Sequence, residues 1–206
     1  MKKPEYPTCS KCAKRYCIPE SFPKGTVIDI ENAPDFCPMK ISADVLKTAS
    51  NEYEKEEIKE FAREASIQEA QCYEMIDGQI RTKLPRIEET IQFAERMKYK
   101  KLGLVFCAGL GNETLIINKI LENRGFQVVS VCCKVGAIPK DKIGFPREQI
   151  VGDPERCAPM CNPIAQAEVM NKEKPDWVIL VGLCVGHDTL FLKYCKRPRN
   201  STCSKG

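Results

Sequence analysis

A chain of 206 residues, 43% hydrophobic and 29% charged, holds enough apolar material for one α/β domain with a small appendage. Its apolar runs fall far short of the roughly 20 residues of a membrane span, and the start Met1 to Pro7 is polar, so a cytoplasmic protein without a signal peptide or membrane contact is expected. Lys193, Lys196, Arg197, Arg199 and Lys205 follow Asp188 without an acid and more than account for the formal net charge of +4; the remainder is near neutral, so a nucleic-acid footprint is not indicated, and the tail is expected to be a solvated end rather than a contact for an anionic partner.

Residues 1–42 differ in kind from the rest. They carry Cys9, Cys12, Cys17 and Cys37, several prolines and little periodicity, too little apolar material for a core of their own. Such a segment needs a staple. The order Cys9-x2-Cys12-x4-Cys17-x19-Cys37-Pro38 offers four soft ligands, enough for tetrahedral zinc. The same four thiolates suit an iron–sulfur cluster, in whose motifs a Cys-Pro step recurs. Redox thiols without metal are the remaining reading. A thioredoxin-like pair at Cys9 and Cys12 is disfavoured, because no strand precedes it.

Residues 43–98 read as helical. Leu46, Ala49 and Tyr53 mark one stripe. A second runs through Ile58, Phe61, Ala62, Ala65, Cys72, Tyr73 and Ile76 and closes at Gly78, with Cys72 as core packing. Pro85 suits the first turn of a third helix, with Ile87, Ile91, Ala94 and Met97 inward.

In the domain 99–195 apolar strands alternate with helices. Leu102 to Cys107 is the first strand. Asn112 is placed to cap a helix that closes at Gly125, and Phe126 to Cys133 is the second strand. A loop punctuated by Gly136, Pro139, Gly144, Pro146, Gly152 and Pro154 follows. Asn162 and Pro163 start another helix, Trp177 to Val181 is the third strand, and Asp188 is placed to cap a last helix through Tyr194. This alternation predicts an α/β fold: a small three-stranded parallel sheet of order 2-1-3, flanked by helices, with the N-terminal cysteine-rich metal knuckle appended. Residues 196–206 read as a polar basic tail, in or beside which Cys195 and Cys203 are incidental.

The strands end in cysteines: Cys107 after the first, Cys132 and Cys133 after the second, Cys184 after the third. In a parallel sheet those ends share one edge, where open α/β sheets place their ligands. A convergent thiol pocket is therefore expected, against the alternative that each thiol is a small buried hydrophobe. Cys132 and Cys133 point to opposite faces, so one at most faces the pocket. Cys161 immediately precedes a helix start, where dipole and free amides favour thiolate, which makes it the best nucleophile or ligand of this half; Cys157 stands at C-x3-C spacing from it. His187, the only histidine, lies in Gly182-Leu-Cys-Val-Gly-His-Asp188 beside Cys184, with Asp188 expected to cap the helix and orient the imidazole. The glycines after Cys107 read as a tight turn rather than a nucleotide site, since the dinucleotide fingerprint is incomplete.

Cys9-Ser-Lys-Cys12 with Cys17 and Phe36-Cys37-Pro38-Met39, then Cys161-Asn-Pro-Ile-Ala-Gln-Ala167, then Val181-Gly-Leu-Cys-Val-Gly-His-Asp-Thr-Leu-Phe-Leu-Lys-Tyr194, resemble an uncharacterised, cysteine-rich, predicted metal-binding family of anaerobic bacteria and archaea. The resemblance covers most of the chain and implies metal binding; it carries no established activity. Family members continue after Tyr194 into another strand and a Gly-His-Asn-Pro segment. The polar run Cys195 to Gly206 is unlike a strand, so a missing fourth strand and an incomplete C-terminal site are expected.

Three functions fit these residues. The first is a metal-binding protein of unknown activity, with zinc or an iron–sulfur cluster on Cys9, Cys12, Cys17 and Cys37 and a thiol-rich pocket of Cys107, Cys133, Cys157, Cys161, Cys184 and His187, able to take a small molecule. The second is a thiolate or redox enzyme using Cys161 or Cys184 with His187. The third is an interaction module whose knuckle docks a partner near Phe22 and Phe36.

Overall fold

The run Trp177-Val178-Ile179-Leu180-Val181 has no polar face, so a strand built from it must be covered on both sides. In the computed structural model it is a strand with every residue buried, at the centre of a parallel sheet. The structure describes residues 6–18, 30–151, 155 and 158–203, without the side chains of 202 and 203. The chain divides into two compact units, Met1–Arg63 and Glu64–Gly206.

The first unit holds a 3-10 turn at Cys9–Lys11, then α1 (Pro38–Ile41) and α2 (Ala43–Glu52). Cys37 precedes α1: its carbonyl accepts the N–H groups of Lys40 and Ile41, and Pro38 opens the helix where no N–H is needed. Helix α3 (Glu56–Gln71) then carries the chain into the second unit.

The expected continuation of that helix to Gly78 is not what forms. The chain turns instead into a hairpin of β1 (Tyr73–Ile76) and β2 (Gln79–Thr82), paired from Tyr73↔Thr82 to Ile76↔Gln79. Asp77 and Gly78 both take positive φ, 51° and 74°, the backbone of a two-residue type I′ turn. An Asp-Gly step between alternating residues outweighs helical spacing over so short a stretch.

Helix α4 (Arg86–Arg96) leads to β3 (Lys101–Phe106), α5 (Gly111–Asn123), β4 (Gln127–Cys132), α6 (Pro163–Glu173), β5 (Trp177–Val181), α7 (His187–Tyr194) and β6 (Arg199–Cys203). The sheet runs β4-β3-β5-β6, parallel throughout. Leu102, Leu104, Trp177, Ile179 and Val181 face Ile91, Phe93 and Ala94 of α4 and Leu121 of α5. Phe93 meets Trp177 edge-on, ring centroids 5.2 Å apart. Val105, Val131, Val178 and Leu180 face Ala167 and Met170 of α6, Phe191 of α7 and Cys195. Helices thus cover both faces of the sheet. At Gly103 a Cβ would lie 2.6 Å from Met170 Sδ, so α6 can approach β3 this closely only over a glycine. Asp176 accepts the N–H groups of Lys100 and Lys101, at 2.7 and 2.9 Å, and ties the starts of β3 and β5 together.

Two expectations about the sheet are corrected. It has four strands, not three, although the order 2-1-3 holds for the first three. The polar stretch after Pro198 supplies the fourth, with Val178↔Arg199 and Leu180↔Ser201 in register. An edge strand pairs through its backbone and need not be apolar, which is why hydropathy did not reveal it. Cys195 is no incidental tail residue either: it is 5% exposed, in the core between α7 and β6.

The N-terminal metal knuckle is not formed. Cys12 N–H closes the 3-10 turn on the Cys9 carbonyl, Cys9 and Cys17 are exposed, Cys12 is half-buried and Cys37 is buried. No three His, Cys, Asp or Glu side chains among the described residues stand together as a metal site. Among the described residues of the first unit only Ala33 and Cys37 are buried, so little in them gathers the four thiols.

Candidate functional site

The C-terminal edge of the sheet is where separate chain segments bring thiols together. Cys107 follows β3, and its N–H bonds to the Val181 carbonyl at the end of β5 at 3.1 Å. The 3-10 turn Ala108–Leu110 then points the Ala108 N–H at Cys133 Sγ, 3.3 Å away. Cys133 follows β4, with its own N–H on the Phe106 carbonyl. Its carbonyl accepts the Asn162 N–H at 2.7 Å, which brings the segment holding Cys161 alongside.

Asn162 caps α6 as its place before Pro163 suggested, its side chain accepting the Ala165 N–H at 3.1 Å. Lys134 Nζ reaches back to the Pro159 carbonyl at 2.9 Å and to Cys161 Sγ at 3.3 Å. Cys161 thus stands just before a helix start, with the Lys134 ammonium on its sulfur.

Cys133 is 2% exposed, and its thiol is pushed up to about 12. Burial is the largest cause, and the Ala108 amide opposes it; a hydrogen bond with the Cys161 thiol and the charges of Cys161 and Cys107 raise it further. Cys133 thus lies against the amide that follows Cys107 and in a segment hydrogen-bonded to the residue after Cys161, whereas Cys132 is only half-buried. Cys157 and Phe22 lie outside the described residues; Phe36 is half-buried.

Cys184 and His187 stand on the turn after β5. Gly182, φ +60°, lets that turn pass Leu110. The Cys184 carbonyl accepts the N–H groups of His187 and Asp188, and Gly186 precedes α7. Asp188 lies inside the helix rather than at its cap, and its carboxylate accepts the N–H of Thr189 at 2.7 Å. Imidazole Nδ1 of His187 is buried and has no hydrogen-bond partner, so it is bonded neither to Asp188 nor to a thiol.

Two residues at this edge carry no obvious signal in the sequence. Gln166, fully buried in α6, donates from Nε2 to the carbonyls of Phe106 and Val131, at 3.2 and 3.0 Å, and so clamps the ends of β3 and β4; its Oε1 is buried without a partner. Lys134 is one of many lysines. Only its position next to Cys132-Cys133 could have drawn attention to it. Away from this edge, Cys72 is buried as expected. It also lines a cavity of about 540 Å³ with Arg86, Glu89 and Ser201, and burial and the Glu89 carboxylate both push its thiol up.

Comparison with known proteins agrees with this picture in extent. Residues 37–201 match a family described as a protein of unknown function, DUF1847. That span includes Cys37, Cys107, Cys132, Cys133, Cys161 and Cys184 but not Cys9, Cys12, Cys17 or Cys203. Over 190 residues the chain is 39% identical to the uncharacterized protein MJ0455 of Methanocaldococcus jannaschii, an alignment spanning 92% of this chain and 82% of that one. The chain belongs to the DUF1847 family, with its thiol-bearing sheet edge inside the matched region.

Proposed function

We propose that this is a metal-binding protein whose working site is the thiol-bearing edge of the sheet, and that it holds zinc or, alternatively, an iron–sulfur cluster. The observation that carries the reading is the convergence of Cys107, Cys133 and Cys161 from three chain segments under an amide and an ammonium donor. Soft thiols fit these centres in donor type. In spacing, no three described side chains are yet gathered to ligand distance, so the ion itself would close the set. Such binding displaces the proton from Cys133, which is why the site should release metal in acid. Cys9, Cys12, Cys17 and Cys37 form a second candidate set, assembled only with an ion. A cytoplasmic setting suits both, since ligand thiolates must stay reduced.

The test is metal analysis and an absorption spectrum after oxygen-free purification, on the native chain and on Cys133→Ser and Cys161→Ser. At least about one equivalent of zinc or iron per chain is expected, falling in both variants. Less than about half an equivalent in the native chain, with all thiols reactive, removes the reading.

A second reading, thiolate chemistry at Cys161 or Cys184 with His187, is favoured by the Lys134 ammonium on Cys161 Sγ and by the unengaged Nδ1 of His187. Turnover or covalent labelling that survives complete removal of metal would select it.

A further inference from the structure

We propose that Cys133 and Cys161 are a reversible dithiol–disulfide couple that exchanges with small-molecule disulfides, and that its oxidation closes the sheet-edge site to soft metal. The couple rests on the sheet edge being the working site; only the closing of that site to metal rests on a metal being bound there.

Three contacts carry it. The Asn162 N–H on the Cys133 carbonyl at 2.7 Å holds the two segments side by side. Lys134, next to Cys133 in the chain, spans to Pro159 O and Cys161 Sγ and fixes the same approach from the side-chain direction. The Ala108 N–H on Cys133 Sγ at 3.3 Å holds that sulfur at the same edge. A disulfide needs Cα atoms roughly 4.4–6.8 Å apart, the spacing a link between these two adjacent segments has to meet.

The environments of the two sulfurs differ, and the difference assigns their roles. Cys161 is half-buried, reachable from solvent and paired with an ammonium. It is the attacking thiol. Cys133 is buried and closed to solvent, so it is the resolving thiol.

Cys161 gives up its proton and its thiolate attacks one sulfur of R–S–S–R; that S–S bond breaks, and RS⁻ leaves and takes up that proton to become RSH. A mixed disulfide stands on Cys161. Cys133 passes its proton to the second leaving sulfur as it attacks Cys161 Sγ, and RSH departs. The dithiol has lost two electrons and two protons, and the small disulfide has become two thiols. The Ala108 N–H, already on Cys133 Sγ, stabilises negative sulfur as Cys133 attacks. With both sulfurs tied to each other, two of the three convergent ligands are lost to a metal ion.

The full chain, reduced and stripped of metal, is titrated with glutathione disulfide without oxygen, alkylated and mapped by mass spectrometry. A Cys133–Cys161 link is expected, reversed by excess glutathione. Cys133→Ser should stop at the glutathione adduct on Cys161, and Cys161→Ser should leave Cys133 reduced. Lys134→Met should slow the first attack about tenfold by removing the cation beside the thiolate. The native-chain map needs no variant to fold, and circular dichroism checks those that are used. A link between other cysteines, or Cys133 and Cys161 both still reduced at glutathione ratios that oxidise the rest, overturns the proposal. Zinc retention is measured on the same preparations. A link with no zinc binding removes the metal reading and leaves this one; zinc binding with no link does the reverse.

Discussion

Replacing Gly182 with alanine tests the geometry that brings the β5 turn to the sheet edge. Gly182 has φ +60°, and a Cβ built there lies 2.2 Å from Leu110 Cδ1 and 3.6 Å from its Cγ. Two costs arise. The left-handed backbone is worse for alanine than for glycine by roughly 1–2 kcal/mol. The added methyl must also displace Leu110, which packs against the core beside Ile179 and Val181. Overpacking of that kind costs roughly 1–3 kcal/mol, the lower end if the Leu110 side chain rotates away. Against these stands the smaller conformational freedom of alanine in the unfolded chain, worth about 0.4–1 kcal/mol. The net expectation is destabilisation by about 1–5 kcal/mol, read from the urea midpoint at unchanged slope. Gly111→Ala is the matched control. Gly111 has φ −61°, and nothing lies within 4 Å of its built Cβ. It should be neutral or stabilising by about 0.4–1 kcal/mol. If Gly182→Ala shifts stability by less than about 0.5 kcal/mol, or matches Gly111→Ala, the close passage of the β5 turn over Leu110 is wrong.

Asp176→Asn should expose a pH-dependent tie between β3 and β5. Partial burial works against the ionised carboxylate, but the amides of Lys101 and Lys100 and the charges of Arg197 and Lys101 outweigh it, so its pKa lies below the ordinary value. The stability it supplies is therefore present above about pH 4 and lost as pH falls through the folded value; the substitution should cost about 1–3 kcal/mol at pH 7 and less towards pH 3, and a gap independent of pH would refute this. Phe191→Ala, at a fully buried position between α6 and the sheet, should cost roughly 3–5 kcal/mol in chemical denaturation, and a loss under about 1 would show that α7 does not pack as described. Cys133 is buried and burial pushes its thiol up, so iodoacetamide should alkylate it more slowly than the exposed Cys9 and Cys17; labelling as fast as either contradicts its burial.

Much of the sheet could be read in advance because its determinants are local. Trp177 to Val181 is apolar on both faces, and such a run is a buried strand wherever the chain ends up. Asn162-Pro163 starts a helix for reasons confined to those two residues and the turn after them. The parallel alternation then placed Cys107 and Cys133 at one edge, since every strand of such a sheet ends on the same side. The Asp77-Gly78 hairpin was equally local, and the dipeptide signalled it, but helical spacing through Cys72, Tyr73 and Ile76 obscured it.

The remainder belonged to the tertiary structure. Arg199 to Cys203 becomes a strand only because β5 presents an unpaired edge, and no property of that polar run announces it. Cys195 is buried because α7 and β6 close over it. Lys134 finds Cys161, 27 residues on, only once the intervening loop has folded back, and Gln166 finds two strand-end carbonyls that no spacing rule connects to it. From its sequence alone this protein was determined to be a doubly covered parallel α/β sheet with cysteines at its strand ends, because hydrophobic period and strand polarity are properties of short segments. Which thiols meet, which is buried and which faces an ammonium were decided by long-range packing, because those depend on distances between segments that are far apart in the chain.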